Sequence, residues 1–351
     1  MVSKANAQKP HPEWPADGLE SISNCPVCGA EARDLLHKDL TDQVFHCAPG
    51  KWNMYQCKSC ASAYLDPRPN SETISLAYQY YFTHDEVPYF DSLSFLGKFR
   101  RRIANGYRNH YFGTHDYPAS IFGIIAARLI PNIGATIDAN MRHLCKENIK
   151  KRLLDVGCGN GGFLLLARSA GWDVVGVDPD SKAVEAARIQ DLDVRLGGVE
   201  ALDPSIEQFD AITLSHVIEH VHHPVEVLQA CHRLLRPGGF LWIETPNIAS
   251  QGHLLFGATW RGLEPPSHLV LFTLESMISA LSTAGFAEEE NQPYRPCCNR
   301  MFSASSSISM GIDPYREPRK NAPSGLVRKA EQIAKHDPEQ REFITVKAWK
   351  R

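Results

Sequence analysis

The 351-residue chain has little excess of charge of either sign: Lys and Arg number 37 against 40 Asp and Glu, a formal net charge of -3. That balance gives the whole chain no electrostatic pull toward nucleic acid, so no nucleic-acid partner is expected. It also lacks an apolar run of bilayer length. The longest, 121–137, is broken by Arg128 and Pro131, and a span needs about 20 mostly apolar residues, so no membrane span is expected. The opening MVSKANAQKPHPEWPADG contains no hydrophobic signal core; it reads as a flexible tail over 1–20. Repeats and low-complexity tracts are absent, which sets aside solenoids and coiled coils. With 43% hydrophobic and 22% charged residues, the remainder is an ordinary folded composition. The length suggests two domains at about 150 residues each.

Ten cysteines are present, four of them paired as CxxC and most others set in apolar segments. This reads as reduced thiols plus a metal site, in a cytoplasmic setting. Cys25-Pro-Val-Cys28-Gly29 and Cys57-Lys-Ser-Cys60 are two knuckles separated by strand formers, the layout of a zinc ribbon over 21–66. Two residues between thiolates let one turn present both sulfurs to a tetrahedral ion, and four thiolates complete a closed structural Zn2+ site. The competing readings are reduced surface turns or disulfides. Cys47 is a bystander on this count.

Residues 67–150 read as a helical lid or linker, with pieces of surface-facing helix at 99–102 and 126–129. The aromatic cluster Tyr78, Tyr80, Tyr81 and Phe82 before His84 fits a core, or a lid over a pocket. From Lys151 the pattern becomes strand-length apolar runs alternating with helical stretches, which argues a parallel sheet. Strands are expected at 152–156, 173–177, 193–196, 210–214 and 240–244, with a last one at 342–349. Helices are expected at 162–170, 181–189, 224–235 and 274–284. The fold class is therefore α/β: a Rossmann-like doubly wound sheet, mostly parallel with a final antiparallel strand, over 151–351. An insertion at about 294–341, an N-terminal zinc ribbon and a helical cover complete it.

The loop Asp155-Val-Gly157-Cys158-Gly159-Asn-Gly161-Gly162 follows the first strand and opens the first helix. Glycines there let backbone approach a ligand, and the helix start offers unpaired N–H groups. Asp178 ends the second strand about 20 residues on, where an acid accepts both hydroxyls of an adenosine ribose. Gly157, Gly159 and Gly162 also satisfy the dinucleotide fingerprint, so an NAD-dependent oxidoreductase is a rival. Against it stands Asp155, which would repel a pyrophosphate but suit a cationic amino group.

With Phe209-Asp210 to Ser215-His216 and Pro237-Gly238-Gly239, this segment resembles the class I S-adenosylmethionine-dependent methyltransferases. The ribbon, the 66–69 turn and the 80–84 stretch resemble members that carry a zinc ribbon and tailor sugars and natural products. The resemblance implies S-adenosyl-L-methionine as cofactor. Asp155 would lie beside the methionine amino group, and Gly157, Cys158 and Gly159 behind the methionine part. Asp178 would hold the ribose, Pro179, Val199 and Glu200 would flank the adenine, and Ser215 would close the site. Family members often place an Asp two residues before the Glu; here the string is Gly197-Gly198-Val199-Glu200.

The expected reaction is O-methylation of a small-molecule substrate, a sugar, nucleotide sugar or related natural-product intermediate. A hydroxyl acceptor needs a base, and histidine suits. His268 is the first candidate, then His220, then His216, while the bland reading is a histidine bonded to a loop carbonyl. His216-Val-Ile-Glu219-His220 also matches a metalloprotease string, but it follows a strand and not a helix turn. Quinone-pathway methyltransferases resembling this segment have acidic and histidine residues here that bind a divalent ion. That leaves as alternatives a small phenolic or quinone-type acceptor with divalent metal assistance, and a non-catalytic ribbon scaffold.

Overall fold

A computed structural model describes residues 13–78, 94–146, 151–315 and 321–351. The aromatic stretch at 80–84 lies outside the described residues. In chain order come β1 (Leu19–Glu20), β2 (Arg33–Leu40), β3 (Trp52–Cys57), β4 (Ala63–Leu65) and β5 (Arg68–Pro69), then helices α1 (Phe95–Tyr111), α2 (Phe122–Leu129) and α3 (Pro131–Asn140). The second half alternates: β6 (Arg152–Val156), α4 (Gly162–Ser169), β7 (Asp173–Asp178), α5 (Ser181–Arg188), β8 (Asp193–Leu196), β9 (Phe209–Ser215), α6 (Pro224–Leu234) and β10 (Leu235–Pro246). It ends with α7 (Gln251–Phe256), β11 (Val270–Leu271), α8 (Leu274–Thr283), β12 (Ala287–Asn291), α9 (Cys298–Ser309), α10 (Ser324–His336) and β13 (Phe343–Trp349).

The main sheet has seven strands in the order β12-β13-β10-β9-β6-β7-β8. Neighbours from β10 to β8 are parallel, while β13 runs antiparallel to both β10 and β12. Both faces of the central strands are covered, so β6 and β9 are apolar without alternation: Leu153, Leu154, Ala211, Ile212 and Leu214 are all at 0% exposure. Order reverses between β6 and β9, and the crevice above that point is where an open α/β sheet binds its ligand.

Two boundaries differ from the sequence reading. The expected tail is already part of the fold from residue 13. Trp14 packs edge-on against Trp52 with ring centroids 5.2 Å apart, and Leu19–Glu20 pair with Arg68–Pro69. These contacts come from residues about 40 to 50 positions away, which a local reading of polar, proline-containing sequence misses. Nor is the ribbon self-contained. Its sheet has the order β11-β4-β3-β2, so β11, two residues after His268, is its edge strand. Tyr64 pairs with Val270 and Ala63 with Leu271, and Leu65 N–H donates to the Leu269 carbonyl at 3.1 Å.

The 294–341 stretch supplies α9, which packs on α7, and α10, which packs on α9; Phe302 meets Phe256 edge-on at 5.3 Å. The cover helices α1–α3 bury Tyr107, Phe112, Ile137 and Met141 against Leu153 and Leu164.

Candidate active site

The crevice has two sides built in different ways. On one, the turn after β6 takes three positive φ values, at Gly157 (+68), Gly159 (+54) and Gly161 (+82), before α4 begins. A Cβ at Gly157 would come within 2.5 Å of Val217 Cγ2, whereas one at Gly159 would meet nothing within 4 Å. Gly157 is therefore required for packing, and Gly159 faces open space where a ligand can approach. Asp178 ends β7 with both oxygens engaged: the Gly159 and Asp180 N–H groups donate to it at 2.8 and 2.9 Å. Burial pushes its pKa up, opposed by those two N–H bonds, and its remaining lone pairs are available to a diol.

Cys158 is buried beneath this turn, and Val199 is buried after β8; Pro179 and Glu200 are exposed. Glu200 turns back to accept from the Gly198 N–H at 2.8 Å. Ser215 is half-buried at the end of β9.

Asp155 sits differently from the sequence reading. It is wholly buried, and its cation is Arg142, which also donates to Thr213 Oγ1 at 2.7 Å and lies over the Phe163 ring at 3.7 Å. Thr213 donates to the same Asp155 oxygen at 2.9 Å. The carboxylate thus ties β6 to β9 and to the segment after α3 through Oδ1, while its buried Oδ2 has no hydrogen-bond partner. Arg142 stands outside the segment whose motif named Asp155, so only the fold reveals the pair.

The other side carries the histidines. His216, at φ +55, points a ring with 40% side-chain exposure between two buried acids, Glu219 (Nδ1 to Oε1 3.3 Å) and Glu244 (Nε2 to Oε1 3.6 Å). Burial works against a charge there, but the two carboxylates prevail and raise its pKa to about 9. A raised pKa disfavours the neutral form that a general base needs, so this setting argues against His216 in that role. Glu219 is held at about 2 against its burial by His216 and the histidines around it. Thr245 donates to its second oxygen at 2.9 Å.

His220 and His268 meet ring to ring at 4.7 Å. His220 Nδ1 lies 2.8 Å from the Ser267 carbonyl and 3.0 Å from the Tyr78 hydroxyl, and His268 Nδ1 lies 2.8 Å from the Gly262 carbonyl. With each Nδ1 donating to a carbonyl, Nε2 is the accepting nitrogen of each ring. His268 is 4% exposed, and burial lowers its pKa to about 4. Its Nε2 stands 3.6 Å from Glu264, which itself pairs with Arg261. Ligand atoms of Glu219, His220 and His268 all lie within 4.8 Å of one another.

Glu264 and Arg261 were not singled out as site residues from sequence, and Tyr78 entered only within the aromatic cluster read as a core or a lid over a pocket; the spacing of Glu264 four residues before His268 was a further signal. In the ribbon, the four Sγ atoms of Cys25, Cys28, Cys57 and Cys60 also gather within 4.8 Å, with Cys25–Cys60 at 3.7 Å and Cys28–Cys57 at 3.5 Å. No disulfide joins them.

A family model described as "Methyltransferase domain" matches residues 110–291. The ubiquinone biosynthesis O-methyltransferase of Paracidovorax citrulli is 36% identical over 182 residues, covering 45% of this chain and 74% of that protein. The mitochondrial ubiquinone biosynthesis O-methyltransferase of Mus musculus is 39% identical over 114 residues, or 30% of this chain and 31% of that one. Among solved structures, an S-adenosylmethionine-dependent methyltransferase from Archaeoglobus fulgidus aligns over 67% of this chain and all of its own, at 19% identity and a TM-score of 0.42. The ribbon residues fall outside the matched family segment.

Proposed function

Because the chain belongs to the methyltransferase-domain family and is an S-adenosylmethionine-dependent methyltransferase, we propose that its acceptor is the hydroxyl of a small phenolic or quinone-type ring, methylated with help from a divalent ion. Family membership sets aside the oxidoreductase and scaffold alternatives. The phenolic acceptor replaces the sugar as the leading reading, in keeping with the printed activity of the similar O-methyltransferases.

One observation carries this reading: Glu219, His220 and His268 converge at the carboxyl end of β9, beside the Asp178 crevice. The donor set fits an ion. Glu219 is ionised, and both imidazoles are oriented by carbonyls on Nδ1, the arrangement that presents Nε2 to a metal. Such an ion, when bound, lowers the pKa of a coordinated hydroxyl and orients it. The remaining work belongs to the chain. Asp178 binds the ribose, and the Gly157–Gly159 turn with Val199 shapes the cofactor cleft. The sulfonium is already an activated donor, so what remains is in-line placement of the acceptor oxygen. Glu264, 3.6 Å from His268 Nε2, favours any proton that reaches that imidazole, and Tyr78 fixes the His220 ring.

The ribbon thiols fit a structural zinc on their own geometry. A tetrahedral ion with bonds of about 2.3 Å sets neighbouring sulfurs about 3.8 Å apart, close to the separations found here.

Labelled S-adenosylmethionine incubated with the protein and either dihydroxybenzoate or a panel of nucleotide sugars tests the reading. Label should pass to the catechol, chelation should stop it, and added Mg2+ or Zn2+ should restore it. Transfer to a sugar, or transfer to the catechol that chelation leaves intact, would overturn the acceptor class or the ion, respectively.

A further inference from the structure

The cover helices have an inner side and an outer one. Ile103, Tyr107, Ile137 and Met141 are buried, while α1 and α2 touch through glycines. A Cβ on Gly106 would stand 1.8 Å from the Ser120 carbonyl oxygen, and one on Gly123 2.1 Å from that of Ile103. Backbones this close leave no room between the helices for large side chains, and the apolar ones turn outward. Phe95 is 90% exposed, Leu129 77%, Ile121 74% and Phe122 65%, with Phe99 and Ile125 near half. Of the seventeen large apolar residues exposed among the described residues, ten fall between 95 and 130. Exposed apolar side chains this concentrated mark an interaction surface, where scattered ones would not.

The charge on the same stretch selects the partner. Residues 94–130 carry six Lys or Arg against a single acid, Asp116, in a chain whose overall charge is negative. That acid is taken by Arg108 at 2.9 Å. Arg100 and Arg128 are exposed beside the outward apolar residues. Apolar and aromatic side chains framed by cations are what an interfacial helix presents to an anionic bilayer, with rings at the acyl boundary and cations at lipid phosphates. No single described helix is long and apolar enough to cross a membrane, and the face of α1 and α2 is one for contact at the surface.

We propose that α1 and α2 form a docking face for an anionic lipid surface, with Phe99, Phe122, Ile125 and Leu129 entering the headgroup boundary and Arg100 and Arg128 meeting phosphates. The face involves none of the cofactor or histidine residues and stands independently of the acceptor reading.

Flotation of the full-length protein with vesicles tests it. The protein should float with phosphatidylglycerol vesicles, and at least about tenfold less with pure phosphatidylcholine or in high salt, since the attraction is screened within a Debye length. Arg100→Glu with Arg128→Glu should cost a similar factor. Phe99→Ser with Ile125→Ser should abolish binding even at low salt. In both variants cofactor affinity should be unchanged, a control for folding. Three results overturn the proposal: no flotation with anionic vesicles, flotation indifferent to both variants, or light scattering that shows a lipid-free dimer which Phe99→Ser with Ile125→Ser splits. The last would assign the face to a second copy of the chain.

Discussion

The two sides of the crevice differ in how far apart in sequence their residues lie. The cofactor side is nearly all local: the glycine turn, Asp178 and Val199 fall within about 45 residues and are fixed by backbone bonds such as Gly157 N–H to Val177 O at 2.8 Å. The histidine side draws on Tyr78, on Glu219 and His220 after β9, on Thr245 in β10, and on the 261–268 loop, whose next strand pairs with the ribbon. A site of the first kind withstands changes elsewhere in the chain, whereas one of the second kind depends on several distant elements at once. Variants that separate binding from turnover test this contrast.

The largest effect belongs to the histidine side. His268→Ala should lower turnover by about 10²- to 10⁴-fold, with cofactor affinity unchanged, since the imidazole lies on the acceptor side only. Single-turnover assays beside calorimetry check it, and a matching loss of cofactor affinity would erase the distinction between the two sides. The pH profile is a second check. His268, buried and lowered to about 4, stays neutral throughout the physiological range, so the rate should show no inflection near pH 6–7 from this residue. A plateau there that disappears in His268→Ala would contradict its burial.

Next comes the cofactor side. Asp178→Ala removes an acceptor of charge-assisted ribose bonds, each worth about 1.5–3 kcal/mol, so affinity should fall at least about tenfold. Turnover at saturating cofactor should change far less. Unaltered binding by calorimetry would move the ribose elsewhere.

What the sequence makes legible follows the same division. The strands β6 to β9 fall within one residue of their expected ends: β6, β7 and β9 are apolar runs buried along most of their length, and the short edge strand β8, Asp-Val-Arg-Leu, alternates with Val194 buried. Edge strand β12 reads Ala-Glu-Glu-Glu-Asn and has no apolar periodicity to detect; pairing with β13 makes it a strand. β11 is two residues long and exists because β4 lies beside it. Asp155 was legible as a special acid, but its Arg142 partner was not, because that ion pair belongs to tertiary packing. His216 shows the same limit. Its residue type suggested a base, and the two buried carboxylates that favour its protonated form are brought beside it only by the fold.

A smaller effect links the ribbon to the histidine side. If zinc holds the four thiols, Cys57→Ser loosens β3 and β4, and with them β11 two residues beyond His268. Thiolate coordination contributes folding free energy to such modules, and its loss should reduce turnover by about two- to tenfold while cofactor affinity stays level. Where the variant fails to fold, stripping zinc from the wild type with a chelator, followed by calorimetry with cofactor, gives the same readout. Equal losses of binding and turnover would mean the ribbon supports the whole domain and not one side of the crevice.

The smallest expected effect concerns another contact between ribbon and catalytic domain. His37 of β2 and His253 of α7 face each other with Nε2 atoms 2.9 Å apart, an arrangement that needs one nitrogen to donate and the other to accept, so both rings cannot be protonated. Burial lowers both pKa values, and His37 helps hold His253 at about 4. In the unfolded chain a histidine titrates near 6.5. Between pH 6.5 and 4 the unfolded state therefore binds more protons, and stability falls as pH falls. His253→Gln keeps an amide able to hydrogen bond with His37 but removes the titration of residue 253. Its stability from urea melts should fall by on the order of 1 kcal/mol less than the wild type's between pH 7.5 and 5. Parallel pH profiles for the two proteins would show that this junction does not sense acid.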